Sequence, residues 1–454
     1  MNAMENFTQN NKQHFDVIIS GGGLSGSLMA LSLSKLTKND GSLLSIAIVE
    51  AQPFNQTSPV TDNALFDARV LALSHGSATY LAKQGVWPYL KDDASAITTI
   101  DISDRGHFGK ARLTAKQHGV NALGYVIDMA LIGKAQLKAL SQNTSSANNS
   151  KKQSIHWFSP DSIADISWLG QCQEQSQVQV ENVVDKAQVC VTLKSGKVLS
   201  AKLLLGCDGV QSPVRKLANI EVTCDDYQQV ALIANVTTSK AHHHKAFERF
   251  TEFGPIAMLP LKSLKQSNVA PSTSVNSSAN SESRCSLVWT MTPAQVEEIN
   301  KLSDDAFKEA LECAFGSYLG AITHVGKRYD YPLVLLQAER QTFHRMALLG
   351  NASHTIHPIA GQGFNLGLRD VSVMADLVKN ALAANQDIGD FSLLHAYQIN
   401  RAKDQQQIIQ LTDSLVTLFA NDLPPLVIGR NIGLQAVNVF ASFKNALVKK
   451  TMGY

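Results

Sequence analysis

Apolar residues fall in short runs along the chain, and their spacing predicts alternating strands and helices. Phe15–Ser20 reads as a buried strand, followed by Leu24, Leu28, Leu31 and Leu36 at roughly helical spacing. A second strand is expected over Ser45–Glu50. Residues 66–86 hold a helix-like segment with Arg69 just ahead of it. Ile97–Gly109 alternates apolar and polar positions, as a half-buried strand does, and Val126–Leu140 predicts a helix. Short strands are expected over 155–205, closing in the buried run AKLLLG. QVALIANV, FERFTEFGPIAMLPL and CSLVWTM (285–291) add further strands, and Thr292–Phe315 predicts one helix with Pro293 in its first turn. A strand at Met346–Leu349 leads through a loop to a helix from about Phe364 to Leu382. The tail from Phe391 reads as helical up to Pro424-Pro425. Beyond that break Ile432, Ala436, Phe440, Phe443 and Leu447 form an apolar stripe with lysines nearby. It suits packing on the body better than a membrane- or partner-facing surface.

Polar stretches punctuate this pattern. Met1–His14 is expected to be frayed, Ser141–Ser154 to be a linker, and the Ser- and Asn-rich Lys262–Ser283 to be a disordered excursion between two strands.

The chemistry concentrates in two strand–loop–helix passages. In FDVIISGGGLSG, Gly21, Gly23 and Gly26 have the G-x-G-x-x-G spacing. The first glycine permits a tight turn, the second lets a pyrophosphate approach the backbone, and the third lets the helix pack on the strand. Glu50, at the end of the second strand, is placed to accept a hydrogen bond from a ribose hydroxyl. A glycine-rich turn with a surface Glu is the plainer alternative. The second passage, GNASHTIHPIAGQGFNLGLRD (350–370), again brings a loop into a helix N-terminus, where free N–H groups and the helix dipole favour an anion. The two lie far apart in sequence, so one long ligand would require the fold to bring them together. Between them, Asp208-Gly209 follows an apolar strand. It is a turn signal, and an Asp there also suits a ribose or ribityl hydroxyl. Arg69 could reach a phosphate bidentately or be a surface residue.

Composition narrows the choice. At 454 residues the chain can bury a large core and form more than one domain. It is 44% hydrophobic and 17% charged with a net charge of +2, which leaves no bulk electrostatic case for nucleic acid. Six scattered cysteines without a C-x-x-C pair argue against a redox dithiol or a zinc site. His242–His244 in a polar loop read as solvated rather than as metal ligands. No apolar run is long enough to span a bilayer, so a cytoplasmic enzyme is expected, with any membrane contact peripheral at the inner face.

Together GGGLSG (21–26), CDGVQSPVRK (207–216) and the 350–370 stretch resemble the class A flavoprotein aromatic hydroxylases, whose fold is like that of para-hydroxybenzoate hydroxylase. DARVLALS, AITTIDISDRGHFG and AFERFTEFGPIAMLP are most similar to the branch that hydroxylates polyprenylated phenols in ubiquinone biosynthesis. The resemblance spans nearly the whole chain. It implies an α/β protein with a discontinuous Rossmann-like FAD-binding domain (15–90, 120–220, 330–385). It also implies an inserted mixed β-sheet substrate domain (91–119, 221–329) and a C-terminal helical region (386–454). It implies that Gly21, Gly23, Gly26 and Glu50 hold the adenosine end of FAD and that Arg69 lies near the pyrophosphate. Asp208, Asn351, Gly361, Gln362 and Gly363 would line the flavin, with Pro358 beside its ring. Relatives usually carry Asp where Asn351 stands; Asn keeps a hydrogen bond to a ribityl hydroxyl without the charge. His354 and His357 are candidate acid/base groups or structural loop residues. The implied reaction oxidises 2-polyprenyl-6-methoxyphenol to a benzoquinol with O2 through a flavin C4a-hydroperoxide, NAD(P)H being the transient electron donor. Partners in a ubiquinone-synthesis assembly are implied too. A hydroxylase of a soluble aromatic and a flavin-free lipid carrier on the same fold are the competing expectations. A flavin-dependent halogenase is disfavoured because the chain lacks W-x-W-x-I-P.

Overall fold

The computed structural model describes residues 12–53, 69–145, 155–169, 188–263 and 283–419 (apart from Pro358), with Asn431 and Met452. The strands, in chain order, begin with β1 (Lys12–Ser20), β2 (Ile46–Val49), β3 (Val70–Ser74), β4 (Ser95–Ile97), β5 (Thr99–Asp104), β6 (Lys110–Thr114) and β7 (Gly124–Asp128). They continue with β8 (Ile155–Phe158), β9 (Ile163–Leu169), β10 (Gln188–Leu193), β11 (Val198–Gly206), β12 (Val222–Thr238), β13 (Lys245–Thr251) and β14 (Gly254–Pro260). The last are β15 (Ser283–Met291), β16 (Ile322–Val325), β17 (Tyr329–Ala338), β18 (Thr342–Phe343), β19 (Met346–Leu348) and β20 (His354–Thr355).

Three sheets result. The first has eight strands in the order β18-β19-β11-β1-β2-β8, with β10 and β9 added beside β11. Its centre is parallel, and parallel strands are covered on both faces. Alternate residues therefore enter two cores. Val17, Ile19, Ile46 and Ile48 pack with Leu28, Leu31 and Val371 on one side, while Ile18, Ala47 and Leu204 pack with Val214 on the other. The second sheet has nine strands in the order β20-β17-β12-β15-β14-β13-β5-β6, with β16 beside β12. One face (Leu232, Ile256, Met258, Leu287) packs against Phe307, Leu311 and Phe315 of the helix Asp304–Phe315. The other face is left for the cavity described below. β3, β7 and β4 form a small third sheet.

Several expected elements change character. Gly124–Asp128 is a strand because it pairs with both β3 and β4; the helix begins only at Met129 and runs to Ser145, into the expected linker. Arg69 precedes strand β3, and the helix starts at His75, where Ser74 accepts a hydrogen bond from the Ser77 amide. The single helix expected over 292–315 is two. Ser303 caps a second helix, with Asp304 and Asp305 placed favourably in its first turn. β17 and β20 join the nine-stranded sheet, so that sheet reaches past residue 329. The stretch 264–282 and the apolar stripe 432–447 lie outside the described residues.

Candidate cofactor and substrate site

The glycine turn is built by mutual exclusion. Gly21 has φ +93°, and a Cβ there would sit 2.8 Å from the Cys207 carbonyl carbon. A Cβ on Gly26 would overlap the Gly21 carbonyl oxygen. Gly23 faces open space, with nothing within 4 Å of a built Cβ. The helix Leu24–Leu33 follows with no side chain capping its N-terminus. Glu50 braces the turn: its Oε2 accepts from the Gly22 amide at 2.6 Å and its Oε1 from the Gln52 amide at 2.8 Å.

The second passage arrives beside the first. The helix Gln362–Ala383 also starts without a side-chain cap, from Gly361 at φ +61°. Its first turn is tied to β3 by Asn365, which accepts from the Ser74 amide at 2.8 Å and donates to the carbonyls of Ala72 and Gly361. Gly350 and Gly367 are close enough that a Cβ on Gly367 would meet the Gly350 Cα at 3.1 Å. Asp370, fully buried, accepts from the Gly350 amide at 2.9 Å and from Arg401 Nε at 2.6 Å.

One cavity of about 1120 Å³ joins these parts. Gly21, Gly23, Glu50 and Asp208 line one end, with Asn351, Gly361, Gln362 and Gly363 contributed by the second passage. The inner face of the nine-stranded sheet lines the other end through Ile233, Glu248, Ala257 and Val288. Among the described residues, Asp208 Oδ1 and Thr355 Oγ1, both buried on cavity-lining residues, have no protein hydrogen-bond partner. Asp208 Oδ2 accepts from the Ser20 hydroxyl and the Val214 amide, while burial still pushes its carboxyl above the usual carboxylate range. Unfilled acceptors, two uncapped helix N-termini and an acid beside the glycine turn are what a dinucleotide with ribose and ribityl hydroxyls requires.

The model of the family described as FAD binding domain matches residues 167–412, more than half of the chain. The chain belongs to the FAD binding domain family. FAD is thus its cofactor. Two similar proteins are the ubiquinone hydroxylase UbiL of Rhodospirillum rubrum and the 3-demethoxyubiquinol 3-hydroxylase of Escherichia coli. The first is 29% identical over 96% of this chain and 89% of its own length, the second 27% identical over 97% and 99%. Among solved structures, p-nitrophenol 4-monooxygenase PnpA from Pseudomonas putida DLL-E4 superposes with a TM-score of 0.67. The identity is 15%, over 97% of this chain and 99% of that one, which shows a shared fold.

Within this FAD-binding frame, the predicted residues fall into two groups. Gly21, Gly23, Glu50, Asp208, Asn351, Gly361, Gln362 and Gly363 share the cavity, and Gly26 packs the helix behind it. Three of the others stand apart. Arg69 is exposed, with its guanidinium 5.9 Å from the centre of the Tyr331 ring. His354 is buried with its Nδ1 3.7 Å from Asp370, and burial lowers its pKa, so it is neutral near pH 7. His357 is lowered to about 4 by burial; its Nδ1 accepts from the Ile359 amide, and its Nε2 lies 3.2 Å from Gln229 Oε1. Neither histidine is among the cavity-lining residues. Pro358 lies outside the described residues. His242 Nε2 lies 3.0 Å from the Leu261 carbonyl oxygen, and among the described residues no group of three or more His, Cys, Asp or Glu is arranged to hold a metal ion. No helix among them is long and apolar enough to cross a membrane.

Sequence reasoning missed Asn365, Asp370, Arg401 and Glu248. Asn365 and Asp370 lie in the 350–370 stretch, as the fourth and ninth residues of its helix, where polar residues on an inward face were a signal. Glu248 alternates with Ala246 and Phe250, an acid on the apolar phase of a strand. Arg401 carried no local signal. Asp208→Ala is expected to weaken FAD binding roughly tenfold or more, since it removes a buried acceptor from the cavity. Flavin fluorescence titration of the apoprotein measures this; unchanged affinity would place the ribityl hydroxyls elsewhere.

Proposed function

We propose that this chain is an FAD-dependent monooxygenase of ubiquinone biosynthesis that hydroxylates the aromatic ring of a polyprenylated phenol. The observation that carries the reading is the continuity of the cavity. One end offers helix N-termini and acidic acceptors; the other is an apolar sheet face with few polar groups. The relatives named for ubiquinone hydroxylation, aligned over almost the whole chain, support the substrate class.

Bound FAD, once reduced, activates O2 and supplies an oxygen atom to the ring. The protein's own residues bind, orient and exclude water. Gly21, Gly23 and Glu50 would hold the adenosine end; Asp208 and Asn351 would take ribityl hydroxyls; the backbone from Gly361 to Gly363 would seat the ring. Pro255, Ala257, Leu259 and Val288 give the substrate ring and the start of its tail an apolar wall that water does not favour. The preferred substrate is 2-polyprenyl-6-methoxyphenol, converted to the benzoquinol, with NAD(P)H as electron donor. A peripheral membrane contact and a ubiquinone-synthesis assembly fit a substrate whose tail dwells in lipid.

Mass spectra of quinone-pathway lipids from aerobic cells lacking this chain test the reading. Polyprenyl methoxyphenol should accumulate, and the intact chain should relieve it while Gly23→Trp, whose side chain would fill the open space over the glycine turn, should not. An unchanged lipid profile in cells without a redundant enzyme would sink the substrate assignment and turn attention to soluble aromatics.

A further inference from the structure

Glu248 sits in the middle of β13 on the face that lines the cavity. It pairs with Ile102 on one side and Ala257 on the other, and the same row continues through Val288 to Ile233. All four of these neighbours line the cavity and all are apolar. Along its own strand Ala246, Phe247 and Phe250 also line the cavity, and all are apolar. Phe250 packs with Ile359 and Phe419, and Ile102 and Leu418 lie against the same cluster. Among the described residues no hydrogen bond or ion pair engages the Glu248 carboxyl.

The charged groups near by are committed elsewhere. Asp104, opposite Phe250 on β5, accepts from Asn431 Nδ2 at 3.1 Å. Arg249 belongs to the other face and lies 5.6 Å from the centre of the Tyr318 ring. Asp413, on the facing helix, is held by the Tyr227 hydroxyl. Burial alone, unopposed by any cation, pushes the Glu248 carboxyl up to about 7. A lone acid on an apolar wall is costly unless a ligand supplies its partner.

We propose that Glu248 accepts the hydrogen of the substrate's phenolic hydroxyl and takes that proton as the ring is hydroxylated. The proposal rests on the hydroxylase reading above. As a ring carbon forms its bond to the incoming oxygen, the phenol O–H bond breaks. Its electron pair moves into the ring and its proton passes to the carboxylate. The oxygen comes from O2, and the donor's two electrons leave with the other oxygen atom as water. The ring C–H proton departs to solvent when aromaticity returns, and the Glu248 carboxyl gives its proton back to the ring oxygen, which regains its electron pair. A carboxylate that titrates near neutrality suits such a proton acceptor. It also explains why an acid stands among the apolar groups of this row.

Glu248→Gln keeps the volume and removes the proton acceptor. In the holoenzyme with a short-tailed polyprenyl methoxyphenol, wild-type kcat/KM should fall as pH drops below about 7. The variant should lose that limb and run about 100-fold slower, with FAD content unchanged. A second readout does not depend on turnover: a 4-nitrophenol bearing a short prenyl chain, whose phenolate absorbs visible light, bound to the protein. A carboxylate beside its hydroxyl disfavours a second negative charge, so the probe should ionise at higher pH in the wild type than in Glu248→Gln. Equal rates and pH profiles in an active wild type, or equal ionisation midpoints of the bound probe, would overturn the proposal. A wild type that shifts the probe but hydroxylates nothing would leave Glu248 facing the phenol and count against the hydroxylase reading instead.

Discussion

Gly26→Ala is expected to give a protein that folds poorly and retains no FAD. The added methyl would overlap the carbonyl oxygen of Gly21 and lie 3.0 Å from its carbonyl carbon. Nothing flexible is available to move. Gly21 is itself pinned against Cys207 and Asp208, and β1 behind it is central to the eight-stranded sheet. The helix Leu24–Leu33 would have to shift away from the strand, and its buried residues Leu28, Met29, Leu31 and Leu33 would lose their packing. Overpacking of this kind costs about 1–3 kcal/mol, and more when backbone must move. The bound-flavin absorbance of the purified protein and its thermal midpoint measure the effect. Gly23→Ala is the control: the site is open and its φ of −66° is ordinary for any residue, so stability should hold. A Gly26→Ala protein that is yellow and as stable as the wild type would show that helix and strand are not as close as described.

Asp370→Ala is expected to destabilise the protein by about 3–5 kcal/mol, the usual cost of stranding one member of a buried ion pair. Asp370 is fully buried, and Arg401 is 3% exposed. Burial acts to lower the Arg401 pKa, but Asp370 and then Asp404 outweigh it and hold the guanidinium charged. Asp370 Oδ1 also accepts from Gln405 Nε2 at 3.1 Å, and Oδ2 holds the Gly350 amide. Loss of that last bond frees the turn that carries Asn351, so FAD affinity should fall together with stability. Urea unfolding measures the first effect and flavin titration the second. Asp370→Ala combined with Arg401→Leu should recover part of the stability, since it removes the uncompensated charge. A single variant within about 0.5 kcal/mol of the wild type would mean that water reaches Arg401.

The dinucleotide end was legible because its constraints are local. The tight turn at Gly21 and the helix packed on its strand at Gly26 each exclude a Cβ, Gly23 between them stays open, and the glycine spacing records all three within six residues. The buried runs at Phe15–Ser20 and Met346–Leu349 were legible for a similar reason: a parallel strand covered on both faces is apolar throughout. Where local signals misled, pairing explains it. Gly124–Asp128 has an apolar pattern that fits a helix continuing to Leu140, but β3 and β4 claim its backbone hydrogen bonds. Ser303 was a helix-start signal inside an otherwise helical stretch, and its capping bond divides one expected helix into two.

The sequence by itself determined the strand–glycine turn–helix passages, and through its resemblance to the flavoprotein hydroxylases an FAD-binding α/β frame, because motifs with local constraints need no distant partner to be legible. Only the tertiary structure decided what lines the cavity and what stands behind it. Arg401 meets Asp370 across two helices, Asn365 reaches β3 from nearly 300 residues away, and His354 and His357 turn from the cavity that their loop borders. The position of Glu248 also depends on register. A shift of one residue in β13 would place it on the helix-covered face among Phe307 and Phe315 and bring Arg249 to the cavity instead. Such placements arise from contacts between segments distant in the chain, and no local spacing encodes them.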